Sequence, residues 1–187
     1  MSKIKKKFLY FAIYLFKIGA TTPHMNYYLF INNQGENAEG LNFHIFKYML
    51  KKYPLRKYVW AFKTKQQVEA FKKQFPECQA ILYNSMRLCF YLQKSRYWVI
   101  NSLTPSYFKA SKYTFYLQTS TDENIIKKEK KKFDYLLTYS EERKEELINT
   151  EQIEEKKIVV LESSNVPTTT LSAEDTNWDK LDEILCQ

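Results

Sequence analysis

The chain has 187 residues, 44% of them hydrophobic, enough for one domain with a packed core and too apolar for a disordered chain. Its net charge of +8 is uneven: residues 1–133 carry 24 basic and 7 acidic side chains, residues 134–187 carry 5 and 14. A basic body calls for an anionic partner, whether membrane headgroups, a phosphate polymer or nucleic acid. Three glycines in the whole chain exclude a glycine-rich phosphate loop or dinucleotide fingerprint, which need several close together. The three cysteines, Cys78, Cys89 and Cys186, have no CxxC spacing, which argues against a disulfide framework and a structural zinc site. No metal and no cofactor is expected.

The chain opens with Lys3, Lys5, Lys6 and Lys7, followed by an aromatic run from Phe8 through Phe11 to Phe16 that Lys17 interrupts. The run is short of the roughly 20 apolar residues that span a bilayer. Residues 1–25 therefore read as a basic, aromatic helix lying on an anionic membrane surface, with packing on the domain's own core as the alternative.

From residue 26 strands and helices alternate. Tyr27–Ile31 is a buried-strand run, and 32–40 is a polar loop. Phe43, Phe46, Leu50 and Tyr53 fall at helical spacing, so 42–53 reads as a helix that Pro54 stops. A strand over 58–62, a helix over 65–75, a strand over 80–83 and a helix over 85–94 follow. Strands are predicted at 96–101, 113–118, 133–138 and 157–161, with a helix over 141–148. The basic stretch 127–132 reads as a solvated surface. Residues 163–177 read as a loop, and 178–185 as a short acidic helix. The pattern gives an α/β fold, a mostly parallel sheet with helices on both faces. It divides into a surface segment (1–25), the α/β domain (26–162) and an acidic C-terminal loop and helix (163–187).

Few residues offer chemistry. Asp122 and Glu123 are adjacent acids of the kind common on solvated loops. His24 and His44 read as surface or half-buried structural histidines. Lysines interleaved with aromatics would suit base stacking, but most of those aromatics sit on apolar faces, so nucleic-acid binding ranks last.

Several segments together carry a family resemblance. They are Tyr48-Met-Leu-Lys-Lys-Tyr-Pro54 with Lys57-Tyr-Val-Trp-Ala-Phe-Lys63, and Arg96-Tyr-Trp-Val-Ile-Asn-Ser102 with a Pro-containing loop. Tyr107-Phe-Lys109, Tyr116-Leu-Gln-Thr119 and Phe133-Asp-Tyr-Leu-Leu-Thr-Tyr-Ser140 complete the set. In this order, over residues 26–161, they resemble the CDP-glycerol glycerophosphotransferases that prime and build wall teichoic acid in Gram-positive bacteria.

The resemblance implies a Rossmann-like domain equivalent to the N-terminal, acceptor-side half of a GT-B fold, with the donor half expected to be missing. It also implies a histidine, the family's base, just after the strand ending Gln118-Thr119. This sequence has Thr121 there, followed by Asp122 where the family has glycine. Threonine has no pKa near working pH, and Asp122 with Glu123 would repel a transferring phosphate.

The expectation is therefore a half-length relative, not active alone, peripheral on the cytoplasmic face of the membrane. It would hold a teichoic-acid-like polymer or a partner transferase. The alternatives are one subunit of a split transferase whose donor half is on another chain, and a basic nucleic-acid-binding domain. Ligands in such sheets sit at the carboxyl ends of strands. The candidate polymer- or phosphate-binding residues are thus Asn32, Asn33, Asn101, Ser102 and Thr119, with Lys127 and Lys128 reaching phosphate.

Overall fold

The computed structural model describes residues 23–106, 110–161 and 178–186, and the single residue Phe11. The expectations for Lys3, Lys5, Lys6, Lys7, Phe8 and Phe16, for 107–109 and for the 163–177 loop lie outside the described residues.

Seven strands form one sheet: β1 (His24–Ile31), β2 (Lys57–Phe62), β3 (Gln79–Leu82), β4 (Ser95–Ile100), β5 (Phe115–Gln118), β6 (Tyr135–Thr138) and β7 (Ile158–Val160). Their order is β3-β2-β1-β4-β5-β6-β7, and every pairing is parallel. The expected "mostly parallel" sheet is parallel throughout. The direction of winding reverses between β1 and β4, which opens a crevice at the carboxyl ends of those strands.

The helices are α1 (Gly40–Lys52), α2 (Lys65–Gln74), α3 (Met86–Lys94), α4 (Glu123–Glu129), α5 (Glu141–Glu151) and α6 (Asp179–Leu185). Period-two alternation along the strands fills both faces. Leu29, Ile31, Val59, Ala61, Trp98 and Ile100 meet α3, α4 and α5 on one face. Tyr28, Phe30, Tyr58, Trp60, Tyr97 and Val99 meet α1, α2 and α6 on the other. Rings of Phe30, Phe46, Trp60, Phe71 and Phe75 contact one another there at 4.9–5.7 Å. Each such pair adds about 0.5–1.5 kcal/mol beyond its burial.

Three expectations change. The first strand begins at His24, so His24 and Met25 belong to the sheet and not to a separate N-terminal segment. The region 123–129 is a helix, and its sequence signal was slight. Asp122 caps it, accepting from the Asn124 and Ile125 amides at 2.8 and 3.4 Å, while Ile126 is its one buried apolar side chain. The acidic terminal helix is not a free tail. Leu181 and Leu185 are fully buried, Tyr28 donates its hydroxyl to the Leu185 carbonyl at 2.5 Å, and Asp182 pairs with Lys52 and Tyr48. Other acids of the C-terminal half also have internal partners, Glu141 and Glu155 on Lys144, and Glu146 on Arg143. Less acidic surface remains for a partner than the sequence implied.

Candidate functional site

The crevice between β1 and β4 opens into a cavity of about 510 Å³. Asn33, Gly40, Leu41, His44, Asn101, Tyr139 and the run Thr119–Asp122 with Ile125 line it. These positions come from the ends of β1, β4, β5 and β6 and the first turns of α1 and α4.

One lip is a strained loop. Asn33, Gln34 and Gly35 are successive residues at positive φ (44°, 54° and 91°). Asparagine and glycine tolerate this region, whereas glutamine is strained in it. Side chains beyond β4 hold the loop: Asn33 N donates to Asn101 Oδ1 at 2.7 Å, and Gln34 N donates to Ser102 Oγ at 3.2 Å. Asn32 is buried and donates to Asn37 Oδ1 and to the Glu39 carbonyl.

The opposite wall is set by Gln118, fully buried, whose Oε1 accepts from the Thr119 and Ser120 amides at 2.9 and 3.0 Å. Its Nε2 donates to Tyr116 Oη at 2.8 Å, and Tyr116 donates to Glu129 Oε2 at 3.4 Å. Glu129, 1% exposed, also accepts from Thr104 at 2.8 Å and from Lys132 at 2.7 Å. A buried polar chain thus runs from Lys132 beneath β5 to the backbone that carries Thr121.

Electrostatically the cavity is nearly neutral. No lysine or arginine is among its lining residues, and its one fixed charge, Asp122, caps α4. Burial pushes the Tyr139 phenol up to about 12, so it stays protonated. Burial, and then the nearby Lys47, lowers the pKa of His44. Its Nδ1 is buried with no hydrogen-bond partner. Neutral amides, hydroxyls and one imidazole suit a polyol better than a bare phosphate. Among the described residues no cluster of histidine, cysteine, aspartate and glutamate could hold a metal ion.

The family described as CDP-glycerol:poly(glycerophosphate) glycerophosphotransferase matches residues 14–128. This chain belongs to that family. A histidine variant of the wall teichoic acid polymerase TagF, soaked with CDPG, superposes with a TM-score of 0.70 at 19% identity, over 82% of this chain and 43% of that one. The polymerase without a named substitution superposes at 0.66 and 18% identity, over 82% and 43%. The chain therefore spans under half the length of those structures and shares the α/β fold of the part of their GT-B-like architecture that it covers. A comparison with curated proteins found no match.

Of the residues named from sequence, Asn33, Asn101, Thr119 and Thr121 come together in the cavity. Asn32 and Ser102 lie behind its lip as supports. Lys127 and Lys128 do not line it, because α4 runs from the cavity's edge toward the other end of the sheet and carries them in its exposed last turn. Glu123 pairs with Arg143 at 3.4 Å. Sequence reasoning passed over His44. A lone histidine beside an apolar stripe carries no signal until the fold brings the first turns of α1 to the strand ends.

Proposed function

We propose that this chain is an acceptor-side binding unit of the glycerophosphotransferase family. Its cavity receives the hydroxyl-bearing units of a polyol-phosphate polymer, and it does not carry out transfer alone. The lining supports this reading: amide and hydroxyl groups at the switch point, no cation to stabilise a transferring phosphoryl group, and Thr121 where the family resemblance calls for a histidine. Neither Thr121 nor the high-pKa Tyr139 accepts a proton near neutral pH. Donor-side contacts would come from other residues than those described.

A second reading rests on His44. It is a neutral imidazole at the cavity wall, so it is able to take a proton from an acceptor hydroxyl if a partner supplies the donor site. In that case the chain is one part of a split transferase.

The test pairs binding with turnover. Saturation-transfer NMR with a poly(glycerol phosphate) oligomer should show contact through the glycerol protons, weakened in Asn101→Ala. CMP release from CDP-glycerol should be absent with the chain alone. Binding without turnover supports the first reading. Turnover that appears only with a full-length family member present, above that member's own rate, and is lost in His44→Gln supports the second. No oligomer binding sinks both.

A further inference from the structure

The buried polar chain that ends on the cavity wall begins at a second cavity. This one holds about 400 Å³, the scale of a small-molecule site, and opens at the amino ends of β5 and β6. Its floor is Trp98 and Tyr116, register partners on β4 and β5 whose ring centroids lie 5.9 Å apart. The turn before β5 and the turn after α4 form its mouth and bring in Lys112, Lys131 and Lys132. The stretch 127–132 reads as solvated surface in the sequence, but the fold divides it. Lys127 and Lys128 are exposed in the last turn of α4 and Lys130 pairs with Glu151, whereas Lys131 and Lys132 line the cavity.

One of the three cations is held in place. Lys132 Nζ donates to Glu129 Oε1 at 2.7 Å and to Thr104 Oγ1 at 3.1 Å, and Glu129 is 1% exposed. An ammonium has three N–H donors, so these contacts leave one for a ligand. Lys112 and Lys131 have no carboxylate partner among the described residues. The hydroxyls of Ser111 and Thr114, 3.1 Å apart on the turn before β5, add to the polar lining. The acid of the lining, Asp134, accepts from the Tyr116 amide at 2.8 Å and has Lys157 to offset its charge. Single lysines on a surface are solvated and need no ligand. Three around a walled cavity, one of them tethered to a buried carboxylate, are a preorganised place for a dianion. The cavity at the strand carboxyl ends has no lysine or arginine in its lining, so the two suit different ligands.

We propose that this second cavity binds the phosphate dianion of a small phosphomonoester or diphosphate, and that its occupancy is felt at the first cavity. Lys112 and Lys131 close on the phosphate, and Lys132 supplies its remaining N–H. A phosphomonoester brings close to two negative charges, one for each lysine that lacks a carboxylate, whereas each phosphodiester of a polymer brings one. The ligand then competes with Glu129 for Lys132. The change passes from Glu129 to the Tyr116 hydroxyl, from Tyr116 to Gln118 Nε2, and from Gln118 Oε1 to the Thr119 and Ser120 amides. Phosphate binding here does not depend on what the first cavity receives.

The test is an NMR titration of the full chain with inorganic phosphate, pyrophosphate and glycerol 3-phosphate, and separately with the poly(glycerol phosphate) oligomer. Saturable shifts are expected at the Thr104 and Lys132 amides with each small ligand. Lys112→Glu/Lys131→Glu should weaken that binding by about tenfold or more, because each lysine gives up a charged hydrogen bond. Lys72→Glu/Lys73→Glu makes the same charge change on α2, across the sheet, and should stay within about twofold. All four lysines are exposed, and circular dichroism confirms folding. In Glu129→Gln the small ligands should still bind, while the shifts at Thr119 and Ser120 are lost. Absence of saturable shifts at Thr104 and Lys132, equal losses in the two double variants, or shifts there with the oligomer alone would overturn the phosphate site. Shifts at Thr119 and Ser120 that persist in Glu129→Gln would overturn the coupling. Oligomer contact through the glycerol protons should be unchanged in Lys112→Glu/Lys131→Glu, so failure here leaves the reading of the first cavity standing.

Discussion

Thr119, at the end of β5, donates its hydroxyl to Asn42 Oδ1 in α1 at 2.5 Å, and Asn42 Nδ2 donates to the Ile31 carbonyl at the end of β1 at 3.2 Å. Three elements that meet at the crevice are tied through one side chain, 1% exposed. Asn42→Ala leaves a buried hydroxyl and a buried carbonyl without these partners. It should cost about 1–3 kcal/mol in urea unfolding, with the cavity walls loosened. A loss under about 0.5 kcal/mol, the size of an ordinary surface change, would show that the tie contributes little.

The strained lip makes a paired prediction. Gly35 has φ +91°, and a Cβ there would lie 3.1 Å from Lys63 N, Phe62 C and Tyr83 Cβ, two of them backbone atoms. Gly40 has φ +63° and open space around it. Gly40→Ala therefore meets only the left-handed backbone penalty, about 1 kcal/mol. Gly35→Ala meets a steric clash as well and should cost about 2–4 kcal/mol. Equal losses in the two variants would mean that the contact at Gly35 relaxes freely.

Much of the fold could be read in the sequence because each strand of a doubly covered sheet is a short apolar run and most helices end at a proline or a change of pattern. Tyr27–Ile31 and Lys57–Phe62 are of this kind. α4 escaped because seven residues with one buried isoleucine carry too little periodicity, and its cap, Asp122, looked like half of an acidic pair. The site was half legible. Asn33, Asn101 and Thr119 follow from the rule that ligands sit at strand carboxyl ends. Lys127 and Lys128 could not be placed relative to the cavity because, without the helix, nothing told which way the chain runs after Asp122. His44 read as a structural histidine, because its place at the cavity depends on the docking of α1 against β1.

Glu129 offers a test of the polar chain beneath the cavity. Its carboxylate holds Lys132, Thr104 and Tyr116, and breaking a buried pair leaves groups with no partner. Because Lys132 is 44% exposed and recovers water, Glu129→Ala should cost about 2–3 kcal/mol, below the range for a fully buried pair. The loss should come with changed amide shifts at Thr119 and Ser120, transmitted through Tyr116 and Gln118. Unchanged shifts at those amides would mean that Gln118 holds the loop without support from Glu129.

His44 gives the protein a pH signature. Burial, reinforced by Lys47, lowers its folded-state pKa below the ordinary value of 6.5. Between the two values the unfolded chain binds more protons than the folded one, so stability rises with pH through that window. The contribution is complete above about pH 6.5 and is lost as pH falls below it. Urea unfolding of wild type and His44→Gln, compared on both sides of about pH 6.5, should show the wild type losing more stability on acidification. The same protonation puts a cation into a cavity whose only fixed charge is Asp122, so affinity for an anionic polyol phosphate should rise as stability falls. Parallel pH profiles for wild type and His44→Gln, in both unfolding and oligomer binding, would remove His44 from the account of the cavity.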